Sequence, residues 1–146
     1  MQPGTDVISG NWEGAFNGVG SLESKGFSCK VGAPAAFGGS GQGANPSSLL
    51  LAAANGCFLL TLAGVLQKQG VRTVHISLET RGAYRGFAPP ELGAITHQVK
   101  VVVDAQSAAR IPELGGCFEA AKAACTATRA MPNVRFRVEG EIVSET

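Results

Sequence analysis

The sequence predicts an α+β protein from three features. Short strand-like segments open the chain, one long apolar helix follows, and three alternating strands with helical segments between them complete it. Runs of strands interrupted by helices are typical of the α+β class. With 146 residues, 45% of them hydrophobic, the chain is expected to form a single domain, residues 1–146, with a sizeable core.

Charge and composition exclude several classes of function. The formal net charge is +1 and no basic cluster stands out, so no nucleic-acid partner is expected. The opening stretch MQPGTDVISGNWEG has neither a basic nor an apolar region typical of a signal peptide, which favours a cytoplasmic protein with reduced thiols. No membrane association is expected, although the uncharged run 46–67 is long enough to raise the possibility of a span. Polar side chains within that run favour a helix buried in a soluble protein.

The run 46–67 has clear helix boundaries. Asn45 is a good capping residue, Pro46 suits the first turn, and Gly70 suits the end. The predicted helix has about 24 residues and a length of roughly 36 Å. A helix this long and apolar needs cover on several sides, more than one small sheet gives, so a partner subunit is expected.

Strand patterns occur on both sides of this helix. Short strands punctuated by glycine are predicted near 6–16, 18–24 and 26–31, before a Gly/Ala/Pro-rich loop. Three better-defined strands, near 74–81, 95–104 and 134–143, have one apolar and one polar face, as antiparallel sheets commonly do. The apolar positions are Val74, Ile76 and Leu78 in the first; Ile95, Val99, Val101 and Val103 in the second; Val134, Phe136, Val138 and Ile142 in the third.

A second amphipathic helix is predicted before the last strand. Leu114, Phe118, Ala121 and Cys125 recur on one helical face there. Cys125 therefore points towards the core, as does Cys57 in the long helix. The two thiols are distant in sequence but can meet in space, and such a pair permits peroxide chemistry: one thiolate becomes a sulfenic acid and the other condenses with it to a disulfide.

Each cysteine also has a plainer interpretation. A free cysteine usually packs as a small hydrophobic residue, and this is the favoured interpretation for Cys57 when it is taken alone, as well as for Cys29 and Cys117. No C-x-x-C pair occurs, and His75 and His97 lie in separate strand-like segments, so no zinc site is predicted.

The segment APAAFGGSGQGANPSSLLLAAANGCF resembles the OsmC/Ohr family of cysteine-dependent peroxidases. It is similar to that family's Gly-rich loop, Asn-Pro helix start, Ala-rich helix and Cys-Phe pair, and FEAAKAACTATRAM is similar to the segment that supplies the second cysteine. The resemblance implies an intertwined homodimer in which antiparallel sheets wrap long central helices. It further implies that Cys57 is the peroxidatic nucleophile and Cys125 the resolving thiol.

The resemblance also implies the reaction partners. The substrate would be an organic hydroperoxide, and a dithiol, which is of the dihydrolipoyl type in some members, would restore the reduced enzyme, with no cofactor or metal. Such an enzyme would act as an antioxidant in oxidative stress.

The family's activating arginine has no direct counterpart in this sequence. No arginine precedes Arg72, and Ser47 and Ser48 follow the Asn-Pro pair where the family often has glutamate. In some members the arginine comes from the strand before the Gly-rich loop, where this chain has Lys30. Arg85 and Arg129 are the other candidate cations, and the sequence does not choose among the three.

Two other functions compete with the peroxidase. The first is a non-catalytic dimer of the same fold that binds a small apolar ligand, with its cysteines inert. The second is a general thiol–disulfide exchanger, which the lack of a C-x-x-C pair disfavours.

Overall fold

A computed structural model of the protein describes residues 4–87 and 89–146. Contacts between residues divide the chain into two compact units, the first ending at Leu50 and the second beginning at Leu51. Each unit is described by itself below.

The first unit contains an antiparallel three-stranded sheet. Its strands are β1 (Ser9–Glu13), β2 (Val19–Ser24) and β3 (Phe27–Val31), paired in that order. The three short strands predicted from the sequence are thereby confirmed. The Gly-rich loop then returns to β3, where Ala44 forms a parallel bridge with Val31. Gly43 is required beside this bridge, because its φ is +76° and a Cβ there would lie 2.6 Å from the carbonyl of Lys30.

The long helix α1 spans Pro46–Lys68. At its start the side-chain oxygen of Asn45 accepts a hydrogen bond of 3.3 Å from the N–H of Ser47. At its end Gly70 has a φ of +73°, and the N–H of Val71 donates to the carbonyl of Leu66 at 3.1 Å. Both predicted boundaries are confirmed.

Helix α1 buries a narrow stripe and leaves a broad apolar face exposed. The buried side chains recur every fourth residue: Ala54, Phe58, Leu62 and Leu66. Leu50 is 44% exposed and Leu60 is 75% exposed. By length and composition alone this helix could cross a membrane, with a mean hydropathy of 2.1 over an 18-residue window of which 22% is buried. Core helices of soluble proteins pass the same test, so this is weak evidence for a span.

The second unit contains a mixed three-stranded sheet in the order β4-β5-β6. The strands are β4 (Thr73–Arg85), β5 (Glu91–Val103) and β6 (Arg135–Ser144). Strands β4 and β5 form a long antiparallel hairpin, whereas β5 and β6 are parallel. The prediction of antiparallel sheets is therefore wrong for β6. The reason is the long connection between β5 and β6, which crosses the sheet and returns in the same direction.

One face of this sheet carries the core. On β5, from Ile95 onwards, every second side chain is buried, and those between them are half-buried or exposed. The buried side chains are Ile95, His97, Val99, Val101 and Val103. Phe136 is buried on β6 at the same level as Ile95. Ile76 and Leu78 are half-buried on β4, as predicted, but Val74 is 52% exposed. The pairing register shifts between Thr73 and His75, and this irregularity turns Val74 out of the predicted pattern.

The crossover contains a 3-10 segment (Ala108–Leu114) and two short helices, α2 (Cys117–Ala124) and α3 (Thr126–Ala130). The predicted continuous helix is therefore wrong at Cys125, whose backbone is extended, with φ −73° and ψ 121°. Its N–H ends α2 on the carbonyl of Lys122, and its own carbonyl accepts from the N–H of Arg129. Cys125 therefore occupies the junction between α2 and α3.

Candidate active site

The structure brings Cys57 and Cys125 together within the second unit. Cys57 lies in the middle of α1 and is half-buried, whereas Cys125 is fully buried at the α2–α3 junction. The Cys125 thiol lies within hydrogen-bonding reach of the Cys57 sulfur and contributes to lowering the Cys57 pKa.

The surroundings of Cys57 favour its ionised form. Burial raises the pKa of the Cys57 thiol, but hydrogen bonds outweigh burial and hold the pKa below its ordinary value. These hydrogen bonds come, in order of size, from the backbone of Ala127, the thiol of Cys125, the backbone of Thr126 and the hydroxyl of Thr61. A lowered pKa increases the fraction of thiolate, which is the reactive nucleophile.

The backbone donors are available because of the break at Cys125. Thr126 and Ala127 are the first residues of α3, and the first N–H groups of a helix have no partner within it. Cys125, as the residue before α3, makes no side-chain cap to these groups. They are instead within hydrogen-bonding reach of the Cys57 sulfur and lower its pKa. A continuous helix through residue 125 would have used both N–H groups internally.

Thr61 lies one helical turn after Cys57 and is also half-buried. Its hydroxyl donates a 2.7 Å hydrogen bond to the carbonyl of Cys57, in addition to its contact with the sulfur. Sequence reasoning missed this residue. Its position four residues after Cys57 in a predicted helix was the available signal.

A buried polar network lies on the sheet next to α1. The Nδ2 of Asn55 donates to the hydroxyl of Thr80 at 3.0 Å and to the carbonyl of Leu78 at 3.2 Å. The Thr80 hydroxyl is in turn 2.8 Å from Nδ1 of His97, whose ring stacks on Phe58 at a centroid distance of 4.7 Å. This network ties α1 to β4 and β5 immediately beside Cys57 in the chain.

His97 is the titratable member of that network. It is completely buried, and burial lowers its pKa below the ordinary value. Its Nε2 has no hydrogen-bond partner among the described residues. Sequence reasoning placed His97 on a strand but found no role for it.

None of the three candidate cations is among the groups that shift the pKa of Cys57, and the role of Lys30 stays a prediction. Lys30 is exposed on β3, in the first unit. Arg85 is at the far end of β4, where its guanidinium donates to the carboxylate of Glu91 at 2.9 Å. Arg129 is exposed on α3. The groups that lower the pKa of Cys57 are all uncharged hydrogen-bond donors.

The remaining cysteines have other surroundings. Cys117 is 5% exposed and belongs to the main core, and burial raises the pKa of its thiol. Cys29 is half-buried on β3 in the first unit. Within residues 4–87 and 89–146, no group of three metal-ligating side chains is close enough to hold an ion. That the protein needs no metal stays a prediction.

The fold and site together define an α+β protein with a dithiol centre between a long helix and a crossover. A family model described as "OsmC-like protein" matches residues 39–139, which is more than half of the chain. The chain therefore belongs to the OsmC family.

Known proteins show the same fold. The chain superposes on an OsmC-like protein from Mycoplasma pneumoniae with a TM-score of 0.76 and 14% identity, covering 97% of this chain and 99% of that one. An organic hydroperoxide resistance protein OsmC from Legionella pneumophila gives a TM-score of 0.70 and 16% identity, covering 98% and 100%. OhrB, an organic hydroperoxide resistance protein of Bacillus subtilis, gives a TM-score of 0.60 and 20% identity. The match covers 92% of this chain and 98% of OhrB.

A relative in sequence is YmaD, an uncharacterised protein of Bacillus subtilis (strain 168). It is 33% identical over 75 residues, which is 51% of this chain and 50% of YmaD. The matched segment thus spans about half the length of that relative.

Proposed function

We propose that this protein is a cysteine-dependent peroxidase that reduces organic hydroperoxides, with Cys57 as nucleophile and Cys125 as resolving thiol. The observation that carries the proposal is that the buried thiol of Cys125, at the junction of α2 and α3, lies within reach of Cys57, a cysteine whose pKa is lowered. A structural pair of buried cysteines has no need of a lowered pKa, whereas a nucleophile requires it.

In the first step the thiolate of Cys57 attacks the outer oxygen of the peroxide. A sulfur–oxygen bond forms and the O–O bond breaks. Cys57 is oxidised to a sulfenic acid, and the peroxide is reduced to an alkoxide, which takes a proton from water and leaves as the alcohol. The donors around the sulfur hold it in the ionised form before the attack.

In the second step the thiol of Cys125 attacks the sulfenic sulfur. A disulfide forms between Cys57 and Cys125, and the sulfenic oxygen leaves as water with the thiol proton. A dithiol reductant, for example one of the dihydrolipoyl type, then restores both thiols by two exchange reactions and is itself oxidised to a disulfide.

Two observations support organic hydroperoxides as the substrate class. The exposed side of α1 next to Cys57 is apolar: Leu50, Ala53 and Leu60 recur on it at helical spacing. Two proteins with the same fold, from Legionella pneumophila and Bacillus subtilis, are named organic hydroperoxide resistance proteins. An apolar approach to the sulfur favours an alkyl peroxide over hydrogen peroxide.

We further propose that a second copy of the chain covers this apolar face. Cys57 lies at the border between the buried stripe of α1 and the exposed face around Leu60. A soluble protein rarely leaves so long an apolar face uncovered. A second α1 packed there would shield Cys57 from bulk water and complete the pocket for the peroxide.

We place the protein in the cytoplasm and expect no cofactor. All four cysteines are free, and a reducing compartment both maintains free thiols and supplies the electrons for a dithiol cycle. The chemistry of the two steps uses sulfur alone.

The test is the reaction of the reduced protein with cumene hydroperoxide, followed by thiol loss and by mass-spectrometric mapping of disulfides. We expect thiols to be consumed much faster than in free cysteine, ending in a Cys57–Cys125 bond. Cys57→Ser should abolish the reaction. Cys125→Ser should still react once but accumulate a sulfenic acid that dimedone traps.

Cys29→Ser is the matched control, because it removes a half-buried thiol from the other unit and should leave turnover unchanged. A reaction no faster than that of free cysteine would contradict the proposal. Cys57 would then be a packing residue, and binding of a small apolar ligand by the dimer would become the function to test.

A further inference from the structure

Thr61 contacts two different atoms of the same residue. Its hydroxyl donates to the carbonyl of Cys57 at 2.7 Å and also lies within hydrogen-bond reach of the Cys57 sulfur. Both residues are half-buried on α1, separated by one turn. The hydroxyl is therefore fixed beside the sulfur by the helix itself.

A threonine hydroxyl has one hydrogen and two lone pairs, so its contacts depend on the state of the sulfur. While Cys57 is a thiol, the hydroxyl gives its hydrogen to the carbonyl and can accept the S–H. Once Cys57 is a thiolate, the sulfur has no hydrogen to give and becomes the stronger acceptor, because a hydrogen bond to an ionised group is roughly twice as strong as a neutral one.

We propose that Thr61 is a positioning residue for Cys57: its hydroxyl turns from the Cys57 carbonyl to the sulfur when the thiol ionises. The sulfur is then held between α1 on one side and the segment Cys125–Ala127 on the other. The inference rests on the proposed function in taking the thiolate as the reacting species.

The other donors make this role specific to Thr61. The N–H groups of Thr126 and Ala127 are fixed in the backbone, and the Cys125 thiol is consumed when the disulfide forms. Thr61 provides the side-chain donor that is present before and after each turnover. It can also follow the sulfur, because a hydroxyl rotates about its own bond.

The test is the pH dependence of Cys57 alkylation by iodoacetamide in the reduced full-length protein, measured by peptide mass spectrometry. Thr61→Val keeps the shape of the side chain and removes the hydroxyl. We expect a higher pH midpoint and alkylation about two- to tenfold slower at pH 7, with rates that converge at high pH. Thr61→Ser restores the hydroxyl and should return the midpoint to that of the parent protein.

Thr96→Val is the matched control, because Thr96 lies on the face of β5 opposite to His97, the residue that stacks on Phe58 of α1. Its midpoint should equal that of the parent. Thr61→Ala, which also lacks the hydroxyl and favours helix, replaces Thr61→Val if valine disturbs the circular dichroism of the protein. An unchanged midpoint in the hydroxyl-free variant, or an equal shift in Thr61→Ser, would overturn the inference.

Alkylation needs no peroxide, so the two proposals fail separately. A raised midpoint in Thr61→Val together with a parent protein inert to cumene hydroperoxide would leave the positioning role standing and remove the peroxidase. Peroxide turnover through a Cys57–Cys125 disulfide, with the same midpoint and rate in Thr61→Val, would leave the peroxidase and remove the role of Thr61.

Discussion

At the scale of single residues, His97 differs from the other buried side chains of β5 because it is titratable and they are aliphatic. It is stacked on Phe58, bonded through Nδ1 to Thr80, and has no partner for Nε2 among the described residues. A positive charge on this ring would be buried with no acceptor for the proton on Nε2, and burial of the charged form lowers the pKa.

This lowered pKa gives a prediction for stability against pH. The unfolded chain binds a proton at His97 more readily than the folded chain does. The contribution of neutral His97 to the free energy of unfolding is therefore fully present above the ordinary histidine pKa of 6.5. It falls as the pH drops from there towards the folded-state pKa. Urea unfolding at pH 7.5 and 5.5 should show this loss, and His97→Leu should remove most of it.

The exposed histidine is the control for that experiment. His75 lies on β4 and is solvent-exposed, so His75→Gln should keep the same pH dependence as the parent protein. A parent protein equally stable at both pH values would show that His97 is not held neutral by burial.

The chemistry of the site was predictable only in part at this scale. Cys57 and Cys125 were chosen from their shared inward direction and from a family resemblance, and the structure brings the two thiols into contact. Their roles stay a prediction, as does that of Lys30. The backbone donors at Thr126 and Ala127 were beyond prediction, because every residue has an N–H and only the fold decides which are free.

At the scale of elements, the sequence predicted the ends of the long helix correctly but not the direction in which the last strand pairs. Helix α1 begins and ends where Asn45 and Gly70 predicted, because capping depends on the residues at each end. The parallel pairing of β6 could not be inferred from its alternating pattern, since a half-buried strand alternates in either orientation. The break at Cys125 was hidden by a helical pattern that continues on both sides of it.

The parallel pair of β5 and β6 depends on a close approach at Gly140. A Cβ at this position would overlap the side chain of Val99 and would lie 3.0 Å from Cε2 of Phe118. Gly140→Ala should therefore lower the free energy of unfolding by about 1–3 kcal/mol. Chemical denaturation monitored by circular dichroism is the measurement.

Gly115→Ala is the matched control for Gly140→Ala. A Cβ at Gly115 meets nothing within 4 Å, and its φ of −59° suits alanine. This variant should be as stable as the parent or slightly more so. Equal stability of the two alanine variants would mean that β5 and β6 have room to move apart.

At the scale of the whole molecule, the exposed face of α1 predicts self-association. If a second copy covers Leu60, an added charge at that position should weaken the dimer because the charge would be buried on association. Sedimentation velocity should show a dimer for the parent protein and a shift towards monomer for Leu60→Glu.

Gln106→Glu adds the same charge at an exposed turn and should remain a dimer. A parent protein that sediments as a monomer would contradict the second-copy proposal. Association of the parent with lipid vesicles in place of self-association would instead indicate that a membrane covers this face of α1.

The junction at Cys125 also has a consequence for when the protein becomes reactive. Helix α1 is a local structure and supplies Thr61, but the other groups that lower the pKa of Cys57, at Cys125, Thr126 and Ala127, come from the crossover before β6, far along the chain. Contacts between distant parts of a chain form late in folding. In a nascent or partly unfolded molecule we therefore expect Cys57 to be an ordinary thiol that is mostly protonated and reacts slowly. The reactivity of Cys57 would then depend on completion of the fold, and a damaged molecule would lose it.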